Sequence, residues 1–71
     1  MKEAQFIKKV GQNIKSIRER QNLTQVDLAF KCDFDKTSIN RLEAGRTNPT
    51  IKTLLKIADA LEVKISDLFN F

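Results

Sequence analysis

The tightest constraint on this fold is the short distance between two helix-like segments in the middle of the chain. TQVDLAFKC spaces Leu28, Ala29 and Cys32 along one face, and DKTSINRLEAG does the same with Ile39 and Leu42. Only three or four residues separate the two patterns. Two short helices joined this closely do not fold back antiparallel with ease, so we expect them to cross steeply. The second helix should then stand out from the body of the protein.

The outer face of this second segment indicates what the crossing is for. It carries Lys36, Thr37, Asn40 and Arg41, whose side chains can hydrogen-bond to base edges and phosphates. Arg can bind guanine through two hydrogen bonds, and Asn can bind adenine in the same way. The pattern therefore favours a helix-turn-helix that reads DNA. The alternative is a helical bundle that only turns a polar face to solvent.

Capping residues set the expected ends of the helices. Thr24, followed by Asp27 three positions later, gives a start like a capping box. Asp35 can cap the second segment, and Gly45 is a left-handed stop. Thr50 can then cap the segment that follows the loop. The two short helices are thus bounded by specific residues.

Three further segments complete the pattern, and no part of the chain alternates with the period of a β-strand. Apolar residues recur every three or four positions over residues 6–17, where Gly11 indicates a close helix contact. The next segment carries an apolar stripe of Ile51, Leu54, Leu55, Ala58 and Leu61. A short apolar segment follows at 65–71. The predicted fold is all-α, a compact five-helix bundle with residues 1–71 as a single domain.

The composition argues against catalysis and against a membrane. The chain has one cysteine, Cys32, and no histidine, so neither a zinc site nor a histidine-assisted nucleophile can be assembled. Its 71 residues are too few for a deep ligand pocket, and no apolar run approaches the roughly 18 residues that span a bilayer. We therefore expect a cytoplasmic protein that is not an enzyme. We expect no metal, cofactor or small-molecule ligand, and a buried Cys32.

The charge supports a polyanionic partner only weakly. The net charge is +4. Residues 1–23 hold six Lys and Arg against two Asp and Glu, whereas the two signs balance in residues 24–49 and again in residues 50–71. The excess thus lies outside the polar face of the second segment. The placement of side chains is the stronger evidence.

The run from Leu23 to Val63 resembles the helix-turn-helix of the phage repressor and Cro family, also called the xenobiotic-response-element type. The matching residues, in one ungapped register, are Leu23-Thr24-Gln25, Leu28-Ala29, Ser38-Ile39, Leu42-Glu43, Gly45, Asn48-Pro49, Leu54, Ile57-Ala58 and Leu61. The resemblance implies a lambda-repressor-like DNA-binding domain that recognises specific sequences in double-stranded DNA. Such a protein would act as a homodimer on a palindromic operator and regulate transcription, as a repressor or an autoregulator.

The resemblance also implies a role for individual residues, with a recognition helix near residues 36–44. The expected DNA contacts are Gln25, Lys36, Thr37, Ser38, Asn40, Arg41, Arg46, Thr47 and Asn48. Gln25 would contact a phosphate through its side chain and backbone amide, and the last three would follow the sugar-phosphate backbone. The alternative role for Thr37 and Ser38 is to cap the helix start.

Two sets of structural residues follow from the same resemblance. Arg18 and Glu43 would form an ion pair that fixes the angle of the recognition helix. Leu68, Phe69 and Phe71 would form a homodimer interface. A partner protein, such as a toxin or another regulator, is a further expectation. Restriction-modification controllers, phage-type repressors and self-repressing antitoxins all match this size.

The chain departs from the family pattern at three positions. Asp33 and Glu62 stand where the family commonly has glycine, so both should adopt a positive φ with some strain. Phe30 stands at a position that is commonly polar and exposed. It either packs against the amino-terminal residues around Phe6 or, with Val26, forms an outward apolar pair for a partner.

Overall fold

The computed structural model describes residues 2–71, which form four α-helices followed by a 3₁₀ helix. The helices are α1 (Glu3–Arg20), α2 (Gln25–Cys32), α3 (Lys36–Glu43), α4 (Ile51–Leu61) and the 3₁₀ helix (Ile65–Phe69). No strand occurs between residues 2 and 71, so the all-α class is confirmed. The prediction of five α-helices is wrong. The last segment is five residues long and closes through a bond from Asp67 N–H to the Lys64 carbonyl, which is the 3₁₀ spacing.

One apolar core lies between all five elements. α1 packs against α3 and the 3₁₀ helix, and α2 packs against α3 and α4. The fully buried large side chains are Ile14, Leu28, Ile39, Ile57, Leu61 and Leu68. The apolar stripe predicted for α4 is only partly buried, because Ile51 and Leu55 are 64% and 46% exposed. These two residues therefore form part of the surface.

The turns use left-handed residues where glycine is usual. Asp33 ends α2 at φ 61°, and Glu62 ends α4 at φ 57°. Both positive φ values were expected, and the prediction is confirmed. A residue with a Cβ is disfavoured in this region by roughly 1–2 kcal/mol, although Asp tolerates it better than Glu. The two turns thus store some strain without changing the fold.

Gly11 allows α1 to approach α3 closely. A Cβ at this position would lie 2.4 Å from the Leu42 carbonyl oxygen and 2.7 Å from that of Glu43. Both contacts are with backbone, which cannot move aside as a flexible side chain could. The close helix contact predicted from the sequence is confirmed, and it sits at the carboxyl end of α3.

Two polar side chains, Asn13 in α1 and Gln21 directly after it, bond to the later part of the chain. Asn13 Nδ2 donates to the carbonyl oxygens of Asp67 and Leu68, both at 2.9 Å. Gln21 Nε2 donates to the Leu61 carbonyl at 2.7 Å. Carbonyls at the end of a helix lack partners within it, so the bonds to Leu61 and Leu68 satisfy such groups; the Asp67 carbonyl also accepts from Asn70 N–H at 3.4 Å.

Cys32 is buried, as predicted, and burial raises the pKa of its thiol. A protonated, enclosed thiol is a weak nucleophile. No group of acidic or cysteine side chains that could hold a metal ion is found among residues 2–71. Over the same residues, no helix combines the length and hydrophobicity that crossing a bilayer requires.

Candidate nucleic-acid interface

The starts of α2 and α3 are both fixed by capping residues. Thr24 Oγ1 accepts from Asp27 N–H at 3.0 Å, and Thr24 N–H donates back to Asp27 Oδ2 at 2.8 Å, which completes a capping box. Asp35 Oδ1 accepts from Ser38 N–H at 3.0 Å and so caps α3. The cap of α3 is therefore Asp35. The alternative that Thr37 or Ser38 caps this helix is not what the structure has.

α3 has one buried and one exposed side. Ile39, Leu42 and Glu43 are buried against the other helices. The exposed side chains of α3 are Lys36, Thr37, Ser38, Asn40 and Arg41. All five were predicted to contact DNA, and the structure leaves all five accessible. Arg46, Thr47 and Asn48, in the loop after α3, are exposed as well.

A buried ion pair joins α1 to the end of α3. Arg18 Nε donates to Glu43 Oε2 at 2.7 Å and Arg18 Nη2 to Glu43 Oε1 at 3.0 Å, while the two side chains are 8% and 2% exposed. Arg18 Nη1 also donates to the Leu23 carbonyl at 2.7 Å. The hydrogen bond to Glu43 raises the pKa of Arg18. The pair implied by the family resemblance is thus formed, in the two-point geometry that Arg and carboxylate favour.

Gln25 extends this ion pair towards the surface. Its Nε2 donates to Glu43 Oε1 at 3.1 Å, and its Oε1 accepts from Asn40 Nδ2 at 3.4 Å. No short sequence pattern predicts these bonds, because Gln25 lies on α2 and its two partners lie on α3, 15 and 18 positions away. The side chain of Gln25 turns inward to Glu43, whereas its backbone N–H lies in the first turn of α2, where such groups point outward.

Two shallow grooves bring the predicted residues together. One, of about 290 Å³, lies between α3 and the following loop and is lined by Ser38, Arg41, Thr47 and Asn48, among others. The second, of about 500 Å³, places Gln25 beside Lys36 and Val26. α3 therefore borders both grooves, one shared with the following loop and the other with the start of α2. Thr37, Asn40 and Arg46 are exposed but line neither groove.

Two acidic side chains take part in the caps at the starts of α2 and α3. Hydrogen bonds from Thr24 lower the pKa of Asp27, and hydrogen bonds from Ser38 lower that of Asp35. Both carboxylates are therefore ionised at neutral pH. Their charges oppose those of nearby basic side chains, Lys31 for Asp27 and Arg41 for Asp35, which weakens purely electrostatic attraction to a phosphate chain.

An apolar patch lies at another part of the surface. It comprises Phe6, Ile51, Phe69 and Phe71, and it is extended by the exposed Leu55, one turn after Ile51 on α4. Phe6 stacks on Phe69 with ring centroids 5.9 Å apart and meets Phe71 at 5.6 Å. Phe6, Ile51 and Phe69 line a groove of about 320 Å³. The patch therefore exposes a contiguous aromatic and aliphatic surface.

The predicted dimer residues do not all lie at this patch. Phe69 is half-buried and Phe71 is 49% exposed, but Leu68 has no exposed surface and packs in the core. Leu68 is therefore corrected to a core residue, because a second chain could not reach it. Ile51 and Leu55 were missed as surface residues. The signal that could have identified them is that five apolar residues make a stripe too wide for a two-sided helix to bury.

Phe30 is the most exposed large apolar side chain, at 86%, and Val26 one turn earlier is 56% exposed. Phe6 packs with Phe69 and Phe71. The alternative in which Phe30 packs against the amino-terminal residues is therefore wrong. The two side chains form an outward apolar pair on α2.

Comparison with known proteins agrees with this geometry. Residues 14–68 match the family described as helix-turn-helix. The chain is 42% identical over 57 residues to the immunity repressor protein of Bacillus phage phi105, a match that covers 80% of this chain but only 40% of the repressor. It is 39% identical over 62 residues to control protein C.BamHI of Bacillus amyloliquefaciens, covering 86% of this chain and 76% of that protein.

A solved structure extends the comparison to a DNA complex. The fold is similar to that of the restriction-modification controller protein C.Esp1396I, determined as a tetramer with its natural 35-base-pair operator. The TM-score is 0.83 at 41% identity, over 90% of this chain and 84% of that chain.

Proposed function

This chain belongs to the helix-turn-helix family, and from that membership we propose that it binds specific sequences in double-stranded DNA and regulates transcription without catalysing a reaction. α3 is the proposed recognition helix. The observation that carries the proposal is its two-sided construction: Asn40 and Arg41 are exposed on a helix whose inner side holds a buried ion pair. Asn and Arg can each form two bonds to a base edge, to adenine and to guanine respectively.

The remaining predicted contacts would position the helix on the duplex. The backbone N–H groups at the start of α2, including that of Gln25, suit a phosphate oxygen. Arg46, Thr47 and Asn48 would follow the sugar-phosphate backbone beside α3, with which two of them share a groove. Lys36, Thr37 and Ser38 would enter the major groove first. Phosphate contacts fix the register, whereas base contacts select the sequence.

A homodimer on a palindromic operator is the proposed binding unit. The apolar patch supports it, because exposed aromatic and aliphatic side chains gain free energy when a second copy covers them. The controller C.Esp1396I, similar in fold, is itself an oligomer on its operator. Two recognition helices would then enter successive major grooves about 34–36 Å apart. We place Phe69 and Phe71 in this interface, together with Ile51 and Leu55.

Regulation would follow from the position of the operator relative to a promoter. A site that overlaps the promoter makes the protein a repressor, and a site upstream of its own gene makes it an autoregulator. We infer that it acts in the cytoplasm, where it reaches chromosomal DNA. A restriction-modification controller, a phage-type repressor and a self-repressing antitoxin all fit this mode of action.

The experiment that tests the function is a selection from random duplex DNA at near-physiological salt, followed by sequencing. We expect a two-fold-symmetric motif whose affinity falls as salt is raised, because each phosphate contact releases counterions. Lys15→Ala, which removes a basic side chain from α1, is the control, and Asn40→Ala with Arg41→Ala tests the reading face. An enriched pool that is indistinguishable from background would overturn the proposal.

The homodimer is tested separately by Leu55→Asp. An exposed position tolerates this change in the monomer, whereas a charge buried at an interface without a partner is costly. Sedimentation should show the wild-type dimer and a monomeric variant. Val26→Asp, at an equally exposed apolar site on α2, is the matched control and should leave the dimer intact. A dimer that survives Leu55→Asp but dissociates with Val26→Asp would move the interface to α2.

The Val26–Phe30 pair supports a second candidate function, the binding of a partner protein such as a toxin or another regulator. An aromatic side chain that is 86% exposed next to an exposed Val is typical of a contact surface. The two functions separate by salt: contact through apolar side chains persists as salt rises, whereas phosphate binding weakens steeply. Phe30→Ser would abolish partner capture and leave DNA binding intact.

A further inference from the structure

The carboxamide of Gln25 lies between a buried carboxylate and an exposed side chain of α3. Its two polar atoms bond in opposite directions, to Glu43 Oε1 at 3.1 Å and to Asn40 Nδ2 at 3.4 Å. Glu43 is 4% exposed and is held by Arg18 at the same time. A single chain of hydrogen bonds thus runs from α1 through the core to the outer face of the recognition helix.

The direction of each bond in this chain follows from the one before it. A carboxylate paired with Arg accepts hydrogen bonds and does not donate, so Gln25 must turn its NH₂ group to Glu43. Its amide oxygen then points outward, and that oxygen can only accept. Asn40 must therefore turn its own NH₂ group to Gln25. The orientation of an exposed amide is in this way fixed by a buried ion pair.

This orientation leaves Asn40 with the groups that adenine requires. Adenine offers an acceptor at N7 and a donor at N6 in the major groove. After one N–H is given to Gln25, Asn40 still has a second N–H and its Oδ1, which is one donor and one acceptor. The outward oxygen of Gln25, in contrast, cannot bind a phosphate, because a phosphate offers only acceptors.

Resting on the proposed function, we propose that Gln25 is a positioning residue that fixes the amide of Asn40 for adenine, and that Asn40 is the adenine-selecting side chain of α3. The side chain of Gln25 thereby contributes to sequence discrimination, and only its backbone N–H serves a phosphate. Fixing the amide beforehand removes part of the ordering cost of binding. An unanchored Asn40 could present its amide in either of two orientations, one of which places like groups against adenine.

The test compares Gln25→Met, Asn40→Ala and the double variant. Met has a similar length but lacks the amide. The probes are the operator found by selection, the same duplex with each adenine in turn replaced by 7-deazaadenine, which lacks the N7 acceptor, and a duplex of random sequence. Wild type should lose about tenfold in affinity at one symmetry-related pair of adenines. The affinity of Asn40→Ala should not change when those adenines are replaced. The affinity of Gln25→Met should fall much less than that of wild type.

Two controls separate positioning from a phosphate contact. Binding to the random duplex should be the same for wild type and Gln25→Met, since non-specific binding depends on phosphates. In the free proteins, the NMR signals of the Asn40 side-chain NH₂ group should shift in Gln25→Met, and the melting temperatures should agree. The double variant should match Asn40→Ala at the sensitive adenine.

The outcomes that overturn the inference differ from those that overturn the proposed function. A full 7-deazaadenine penalty in Gln25→Met, unchanged Asn40 NH₂ signals, or an equal loss of affinity on all three duplexes would each refute the positioning role alone. A selection that enriches no motif would refute the proposed function and this inference together.

Discussion

The inner side of α3 is fixed by packing and an ion pair, whereas its outer side is exposed to solvent. On the inner side, Ile39 and Leu42 are buried, Glu43 is paired with Arg18, and Gly11 lets α1 meet the backbone. On the outer side, the side chains of Lys36, Thr37 and Arg41 are exposed, as are Asn40, which bonds to Gln25, and Ser38, which bonds to Asp35. The inner side therefore sets where the helix lies. The residues of the outer side can be replaced without moving the helix. Substitutions on the inner side should therefore change stability, and those on the outer side should change DNA recognition.

The largest effect is expected for Glu43→Ala. This change leaves Arg18 buried without a counter-charge, which costs roughly 3–5 kcal/mol. For a chain of this size that is a drop in melting temperature of more than about 12 °C. Circular dichroism on heating measures it. Glu19→Ala removes an exposed acid from the same part of α1 and should change stability by no more than about 0.5 kcal/mol. A shift of only a degree or two for Glu43→Ala would mean that the pair is not structural.

Gly11→Ala should rank next. The new methyl carbon would overlap the carbonyl oxygens of Leu42 and Glu43, so α1 and α3 must separate. Overpacking of this kind costs about 1–3 kcal/mol, more than the roughly 1 kcal/mol that Ala gains over Gly in a helix. Gln12→Ala, at the neighbouring exposed position, is the control and should be neutral or mildly stabilising. Urea denaturation of the two variants measures the difference, and a more stable Gly11→Ala would show that the contact is loose.

Arg41→Ala should change recognition and not stability. The side chain is exposed on the outer side of α3, so melting should move by about 0.5 kcal/mol or less. Operator affinity should fall by about 1–3 kcal/mol if Arg41 contacts guanine, with relaxed selectivity at that base. Fluorescence anisotropy with wild-type and single-base-substituted operators measures both. A large loss of stability would show that Arg41 helps to hold α3 in place, as the residues of its inner side do.

The smallest effect on stability is expected when the pH is lowered and the exposed capping carboxylates become protonated. Hydrogen bonds hold the pKa values of Asp27 and Asp35 below their ordinary 3.8, so the folded state binds fewer protons than the unfolded state. Their contribution to stability is complete above that ordinary value and is lost as pH falls through the lower, folded values. Denaturation midpoints should be flat near neutral pH and decline below about pH 4. Asp35→Asn keeps a cap without the carboxylate and should show a shallower decline. If the midpoint of Asp35→Asn declined with pH as steeply as that of wild type, Asp35 would not contribute to the acid sensitivity.

Local features of the fold could be predicted from the sequence because each depends on a few neighbouring residues. Thr24, Asp35 and Thr50 cap the helices where the sequence predicts, and Asp33 and Glu62 take the expected positive φ. The error lies at 65–71, where apolar spacing fits an α-helix and a 3₁₀ helix equally well. A segment this short is decided by its packing and by its caps, which spacing does not encode.

The site was predicted less completely because part of it depends on contacts between helices. The exposed residues of α3 follow from periodicity alone. The bonds of Gln25 to Glu43 and Asn40 depend on how α2 is placed against α3, which no short pattern contains. Leu68 was assigned to the surface for a similar reason, since periodicity shows which residues share a face and not which neighbour covers that face.

The two bonds from Asn13 affect when the chain can fold during its synthesis. They join positions 54 and 55 residues apart, so these two bonds of α1 can form only after the chain has been synthesised as far as Leu68, later than the contacts of α1 with α3. Contacts of such long sequence separation form late, and a nascent chain must wait for them with its apolar side uncovered. The packing of α1 against the 3₁₀ helix can therefore be completed only after that helix has been synthesised.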